Sequence, residues 1–172
     1  MGGESEFIRA CAADDRQAIC AIINDAAEAY RGIIPVDRWH DPYMPLADLD
    51  VEIAADVRFF GYERDGPLLG VMGVQAVQDV TLIRHAYVRT SARRRGIGAQ
   101  LLAHLRSLND RPVLIGTWAA AAWAVAFYEK HGFRRVGEAE KNHLLATYWS
   151  IPQRQIETST VLADVAWFNR ER

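Results

Sequence analysis

The sequence predicts an α/β (α+β) fold: a single mixed, largely antiparallel sheet with flanking helices, in one domain spanning residues 1–172. Two observations predict it. Short apolar segments with strand character dominate the first half, and the second half alternates strand, helix, strand, helix, strand. Half of the residues are hydrophobic and 24% are charged, enough to build a core in a 172-residue chain and too apolar for disorder. No internal repeat and no interdomain linker interrupts the pattern.

Phe7 to Cys11 is a short apolar run that reads as the first strand. Asp14 or Asp15 is placed to cap a helix in which Ile19, Ile22, Ile23, Ala26 and Tyr30 recur at helical spacing, with Gly32 suited to its C-terminal end. Pro35, Pro42 and Pro45 break regular structure across 33–50, where Trp39, His40, Tyr43 and Met44 cluster, with room for a short helix. That aromatic segment reads equally as a pocket wall or as a plug for the core. Val57–Arg64, the turn Asp65-Gly66-Pro67 and Leu68–Gln75 read as an antiparallel hairpin. Thr81–Val88 is a further strand, and a helix with Ile97, Leu101, Leu102, Leu105 and Leu108 on one face follows. Val113–Thr117 is a short buried strand, and Ala119–His131 a helix stopped by Gly132. Phe133–Val136 and Ile156–Leu162 are expected as closing strands, with a short helix at Trp167–Arg172.

The formal net charge of −2 argues against a nucleic-acid binder. Charge is uneven, however: seven acids fall between Asp41 and Asp65, and five arginines with no acid between Arg84 and Arg95. Each cluster is either a solvated face or a mark of a ligand of opposite sign. Cys11 and Cys20 have no CxxC spacing and read as reduced apolar fillers. The five histidines form no HxxxH-type pair, so no metal is expected, and no apolar run approaches membrane-spanning length. The start, M-G-G-E-S-E, reads as a loose cytosolic terminus, so a cytoplasmic location is expected.

Residues 93–98 read R-R-R-G-I-G between a strand and a helix. Such a turn leaves backbone N–H groups pointing outward at the positive end of the helix dipole, a seat for an anion. A P-loop is excluded because no lysine follows Gly98, and a dinucleotide loop because Leu101 stands where its third glycine belongs. What remains is R-x-x-G-x-G, from Arg93, Gly96 and Gly98. This resembles the pyrophosphate loop of the GNAT superfamily of N-acetyltransferases, [QR]-x-x-G-x-[GA]. Val88, five residues earlier, matches the end of that family's fourth strand, and A-V-A-F-Y-E-K-H-G-F, Ala124 to Phe133, resembles its second signature.

The resemblance implies the GNAT fold, with splayed parallel central strands here at Thr81–Val88 and Val113–Thr117. It implies acetyl-CoA as cosubstrate, its pantetheine arm bonded to the strand backbone at Ala86, Tyr87 and Val88. The pyrophosphate would rest on Arg93, Arg94, Arg95, Gly96, Ile97, Gly98 and Ala99. Tyr128 would assist the leaving thiolate. The acceptor would be a primary amine of a small molecule or peptide attacking directly, and the protein a monomer or homodimer. No metal, nucleic acid or membrane is implied.

The chain departs from the family at three positions. An asparagine seven residues before the tyrosine is Ala121, a glutamate twelve before it is Gly116, and the proline two after the strand-ending valine is Thr90. The base is therefore unassigned, with His85 and Asp79 as candidates. His85 could instead face the core, since strand alternation puts it opposite Arg84. Tyr30, Trp39, Tyr43 and Trp118 are the candidate substrate-pocket residues, and the acids of 41–65 suit a cation. A non-catalytic acyl-CoA binding or sensing domain is the alternative.

Overall fold

The computed structural model describes residues 3–170. Seven strands and seven α-helices succeed one another as β1 (Glu6–Ala10), α1 (Arg16–Ala27), α2 (Leu46–Ala54), β2 (Arg58–Arg64), β3 (Leu68–Val77), β4 (Val80–Val88), α3 (Ile97–Ser107), β5 (Val113–Trp118), α4 (Ala122–Lys130), β6 (Arg134–Arg135), α5 (Glu138–Tyr148), α6 (Gln153–Thr158), β7 (Ser159–Ala163) and α7 (Val165–Phe168). The strand order is β1-β2-β3-β4-β5-β7-β6. The described chain divides into two compact units. One holds the residues up to Ala29 with His40–Gln75 and Arg84–Asn109; the other holds Tyr30–Trp39, Ala76–Ile83 and Asp110 onward.

In the first unit β1 pairs antiparallel with β2, from Glu6↔Arg64 to Ala10↔Phe60, and β2 with β3 as the expected hairpin. Helix α1 forms where Ile19, Ile22, Ile23 and Ala26 repeat on one face, and that face is buried with Leu49, Val57, Phe59 and Val71. The proline-rich segment resolves into a helix, α2, that starts directly after Pro45, whose fixed φ suits a helix entrance. Asn24 ties it to α1: its Nδ2 donates to the Met44 carbonyl at 2.9 Å, and its Oδ1 accepts from the Met44 N–H at 2.7 Å.

Helix α3 buries Ile97, Leu101, Leu102 and Leu105, as the leucine spacing predicts, but Leu108, expected on the same face, falls past the helix end at Ser107 and is exposed. It sits very close to β3. A Cβ built on Gly70 would lie 2.8 Å from Ile97 Cγ2 and 3.3 Å from Leu101 Cδ1. Only hydrogen at that position lets the first turn of the helix come down onto the strand.

In the second unit Thr81–Ile83 pair parallel with Val113–Ile115, and β5 pairs antiparallel with β7 from Leu114↔Ala163 to Trp118↔Ser159. Four expectations need correction here. Helix α5 was absent from the sequence reading, because its buried stripe is only Leu144, Leu145 and the stem of Lys141. Lys141 is 2% exposed; its ammonium donates to the Ile156 carbonyl at 2.9 Å and pairs with Glu138. The strand expected from Ile156 begins instead at Ser159, because α6, entered from Pro152, takes 153–158. Helix α4 starts at Ala122 rather than Ala119, whose N–H is bound to the Thr158 carbonyl at 2.9 Å. The helix expected at Trp167–Arg172 starts and ends earlier, as α7, because the Asp164 carboxylate caps it by accepting from the Trp167 N–H and it stops at Phe168; Glu171 and Arg172 lie outside the described residues.

Gly70→Ala tests the seating of α3. Ile97 is buried and β-branched, with few rotamers to yield. The added methyl should cost about 1–3 kcal/mol, the usual range for overpacking, and lower the midpoint of thermal unfolding by several degrees. A midpoint equal to the parent's would show that α3 moves without penalty.

Candidate active site

Strand β4 carries the candidate site residues His85, Ala86, Tyr87 and Val88, and its backbone is irregular. The parallel ladder ends at Ile83↔Ile115, although β4 runs on to Val88. Two residues later His85 has φ of 53°, in the left-handed region. A non-glycine residue there costs on the order of 1–3 kcal/mol, although histidine tolerates it better than most. The consequence is a break in alternation. Arg84 and His85 were expected on opposite faces, yet both reach one oxygen of Glu52: His85 Nε2 at 2.8 Å and Arg84 Nη2 at 3.2 Å. Phe59 stacks on the imidazole with ring centroids 6.0 Å apart. Arg84 also donates to Gln75 Oε1 at 3.2 Å. Burial acts to raise the Glu52 carboxyl, but the His85 hydrogen bond and the Arg84 charge outweigh it and hold its pKa below the ordinary value.

Past Ala86, Tyr87 and Val88, all partly buried, the chain enters the arginine-glycine loop. The loop is braced on the C-terminal end of α1. The Thr90 N–H donates to the Asp25 carboxylate at 2.7 Å, and Arg93 donates to the Ala26 carbonyl at 3.3 Å. That second contact sets a guanidinium at the negative end of a helix dipole. Arg94 (φ 63°) and Gly96 (φ 75°) are both left-handed, and they turn the chain sharply into α3. The α3 N-terminus has no side-chain cap, and Arg93, Arg94, Arg95 and Gly96 are exposed. Ile97 is buried as the anchor, while Gly98 and Ala99 are partly exposed in the first turn. The result is a run of outward N–H groups among cationic side chains. Asp25 was missed by the sequence reading; an acid inside an amphipathic helix gives no local sign of its distant partner.

In the second unit Tyr128 lies on α4, 6% exposed, edge-on to Phe127 and Phe133 at 5.1 and 6.0 Å between centroids. Burial pushes its phenol pKa well above the ordinary tyrosine value, and the neighbouring Tyr30 adds to the rise. Tyr30 is buried and stacks on Trp123 at 5.6 Å. Arg31 lies over the Trp39 ring at 4.5 Å, and Trp118 is buried at the end of β5. Tyr43 belongs to the first unit, packed on its core. Ala121 is fully buried, and a Cβ on Gly116 would stand 3.2 Å from the Trp149 indole, so the space for a longer side chain there is filled. Asp79 lies in the turn before β4, where its carboxylate accepts from the Tyr148 hydroxyl at 2.7 Å and pairs with Arg170. Burial raises both thiols, Cys11 to about 11, so neither is poised as a thiolate nucleophile.

The comparisons with known proteins agree with this architecture. A family model described as an acetyltransferase (GNAT) domain matches residues 24–149. A search of curated proteins gave no match. Similar solved structures include an acetyltransferase of the GNAT family from Staphylococcus aureus Mu50, with 14% identity, a TM-score of 0.70 and coverage of 93% of this chain and 98% of that one. The PaiA N-acetyltransferase from Thermoplasma acidophilum in complex with coenzyme A has 16% identity, a TM-score of 0.70 and the same coverages. Ribosomal-protein-alanine N-acetyltransferase from Brucella melitensis has 25% identity and a TM-score of 0.59, covering 76% of this chain and 86% of that one. With a mixed seven-stranded sheet and a family model matched over most of its length, the chain belongs to the GNAT family of acetyltransferases.

The buried phenol makes stability depend on alkaline pH. Its folded pKa lies above the unfolded value of about 10, so the stabilisation is present below pH 10 and is lost as pH rises above it. Between pH 8 and 11 the parent should lose about 1.4 kcal/mol more than Tyr128→Phe in urea unfolding. Equal losses would mean that Tyr128 ionises in the folded protein as freely as in the unfolded chain.

Proposed function

We propose that this chain is an N-acetyltransferase that moves the acetyl group of acetyl-CoA onto a primary amine of a small molecule or peptide. The observation that carries the reading is the Arg93–Gly98 loop, whose exposed N–H groups at the uncapped end of α3 suit a pyrophosphate. Arg93 braces the loop, and Arg94 and Arg95 supply exposed positive charge beside it.

The chemistry is direct attack. The amine lone pair forms a bond to the thioester carbon, the carbonyl electron pair moves to oxygen, and collapse breaks the C–S bond with its electrons on sulfur. Tyr128 is assigned to that sulfur. A thiol has a pKa of about 8.5 and tyrosine about 10, so full proton transfer to the thiolate is uphill by about 2 kcal/mol even before burial. Burial raises the phenol further. Tyr128 therefore acts as a hydrogen-bond donor that strengthens as charge grows on sulfur, and solvent completes the protonation. A second reading, acyl-CoA binding without turnover, is favoured by Ala121 and by the filled space at Gly116. Release of free thiol on addition of amines separates the two.

Acetyl-CoA at about 100 times its Kd should stabilise the fold by about 2.7 kcal/mol. Gly98→Val, which puts a branched side chain into the first turn of α3, should abolish that gain. A flat thermal titration of the parent with acetyl-CoA, or a folded Gly98→Val protein that binds like the parent, would sink the assignment of the loop.

Tyr128→Phe keeps the ring and removes the hydroxyl. With chemistry rate-limiting, kcat should fall by roughly 10²–10³, the range for losing one donor to developing charge. The Kd for acetyl-CoA should change little, since the interaction grows only in the transition state. A kcat within about threefold of the parent's, far less than one lost donor removes, would exclude Tyr128 from the step.

A further inference from the structure

We propose that Glu52 positions His85 as the base that takes the proton from the acceptor amine, the two forming a carboxylate–imidazole pair. This rests on the N-acetyltransferase reading above.

The 2.8 Å contact joins His85 Nε2 to Glu52 Oε2. An ionised carboxylate only accepts, so Nε2 carries the proton and Nδ1 presents the lone pair. Among the described residues, no hydrogen-bond partner of Nδ1 occurs. The ring is fixed on its other sides: Phe59 stacks on it from β2, and the left-handed backbone sets its direction. The charged groups facing it are Glu52 from α2 and Arg84 from its own strand, and Gln75 from β3 holds Arg84. Arg84 keeps the carboxylate ionised, which preserves the tautomer. The strained backbone has a purpose in this arrangement: it turns His85 to the side of the sheet from which Glu52 arrives.

Place along the strand separates the two candidate bases. His85 immediately precedes Ala86, where the strand backbone is assigned to the cofactor. Asp79 lies six residues earlier in sequence, in the turn before β4, with its carboxylate engaged by Tyr148 and Arg170. An alkylammonium of pKa about 10.4 is mostly protonated at neutral pH, so a proton is first lost to solvent. The neutral amine attacks, and as the C–N bond forms its nitrogen becomes strongly acidic. That proton passes to Nδ1, and Glu52 balances the charge on the imidazolium. The C–S pair leaves on sulfur, and the ring returns its proton to solvent.

The test combines spectroscopy and kinetics. Nitrogen-15 NMR of the unsubstituted protein should show His85 as the neutral tautomer protonated at Nε2, and Glu52→Gln should shift the tautomer population. Glu52→Gln and His85→Asn should each lower kcat by roughly 10²–10⁴, the range for a lost general base, while calorimetry gives an unchanged Kd for acetyl-CoA. Asparagine is used because it tolerates a positive φ. The loss should shrink for a weakly basic amine, whose adduct gives up its proton to water; a structural defect would persist. A parent His85 protonated at Nδ1 overturns the pair whether or not the variants fold. Turnover unchanged in both variants overturns the pair and leaves the N-acetyltransferase reading standing. Binding of acetyl-CoA with no turnover of any amine by the parent overturns that reading and the base role together.

Discussion

The left-handed residue at His85 is the constraint around which β4 is organised. Before it, Thr81–Ile83 are held in a regular parallel ladder with β5. After it, Ala86–Val88 lead directly into the loop and α3. A regular strand would have put Arg84 and His85 on opposite faces and left Glu52 with one partner. The single positive φ instead brings a cation and an imidazole to the same carboxylate oxygen. Its conformational cost, on the order of 1–3 kcal/mol, is offset by those two interactions and the Phe59 stack.

The loop is built on the same logic of backbone geometry fixed by distant contacts. Its two left-handed residues would be a flexible turn in isolation. They are held by Asp25 and the Ala26 carbonyl on one side, and by Ile97 and Leu101 seated against Gly70 on the other. The helix N-terminus is thus braced and uncapped at once, a combination that suits the proposed anion.

The departures from the family pattern also have a physical counterpart. Gly116 is closely packed: a Cβ there would already stand 3.2 Å from the Trp149 indole. Ala121 is buried at the entrance to α4. The glutamate that the family resemblance would put at Gly116 as a base is therefore absent, and its place is taken by packing against Trp149. The carboxylate–imidazole pair of the first unit joins His85 of β4 to Glu52 of α2, a helix that the proline-rich stretch concealed.

The sequence by itself determined the fold class, the hairpin, the amphipathic faces of α1 and α3, and the two signatures around Gly96 and Tyr128. Each is legible because its information is local: a period of side chains, a glycine that admits a left-handed turn, a helix following a strand. Helices α5 and α6 were not legible, because two adjacent leucines with a buried lysine stem, and a lone isoleucine, do the work of an apolar stripe. Nor were Asp25 and Glu52, whose roles exist only against Thr90 and His85, 65 and 33 residues away. The tertiary structure alone decided the side on which His85 lies, since one backbone dihedral overrode the alternation that any strand pattern assumes.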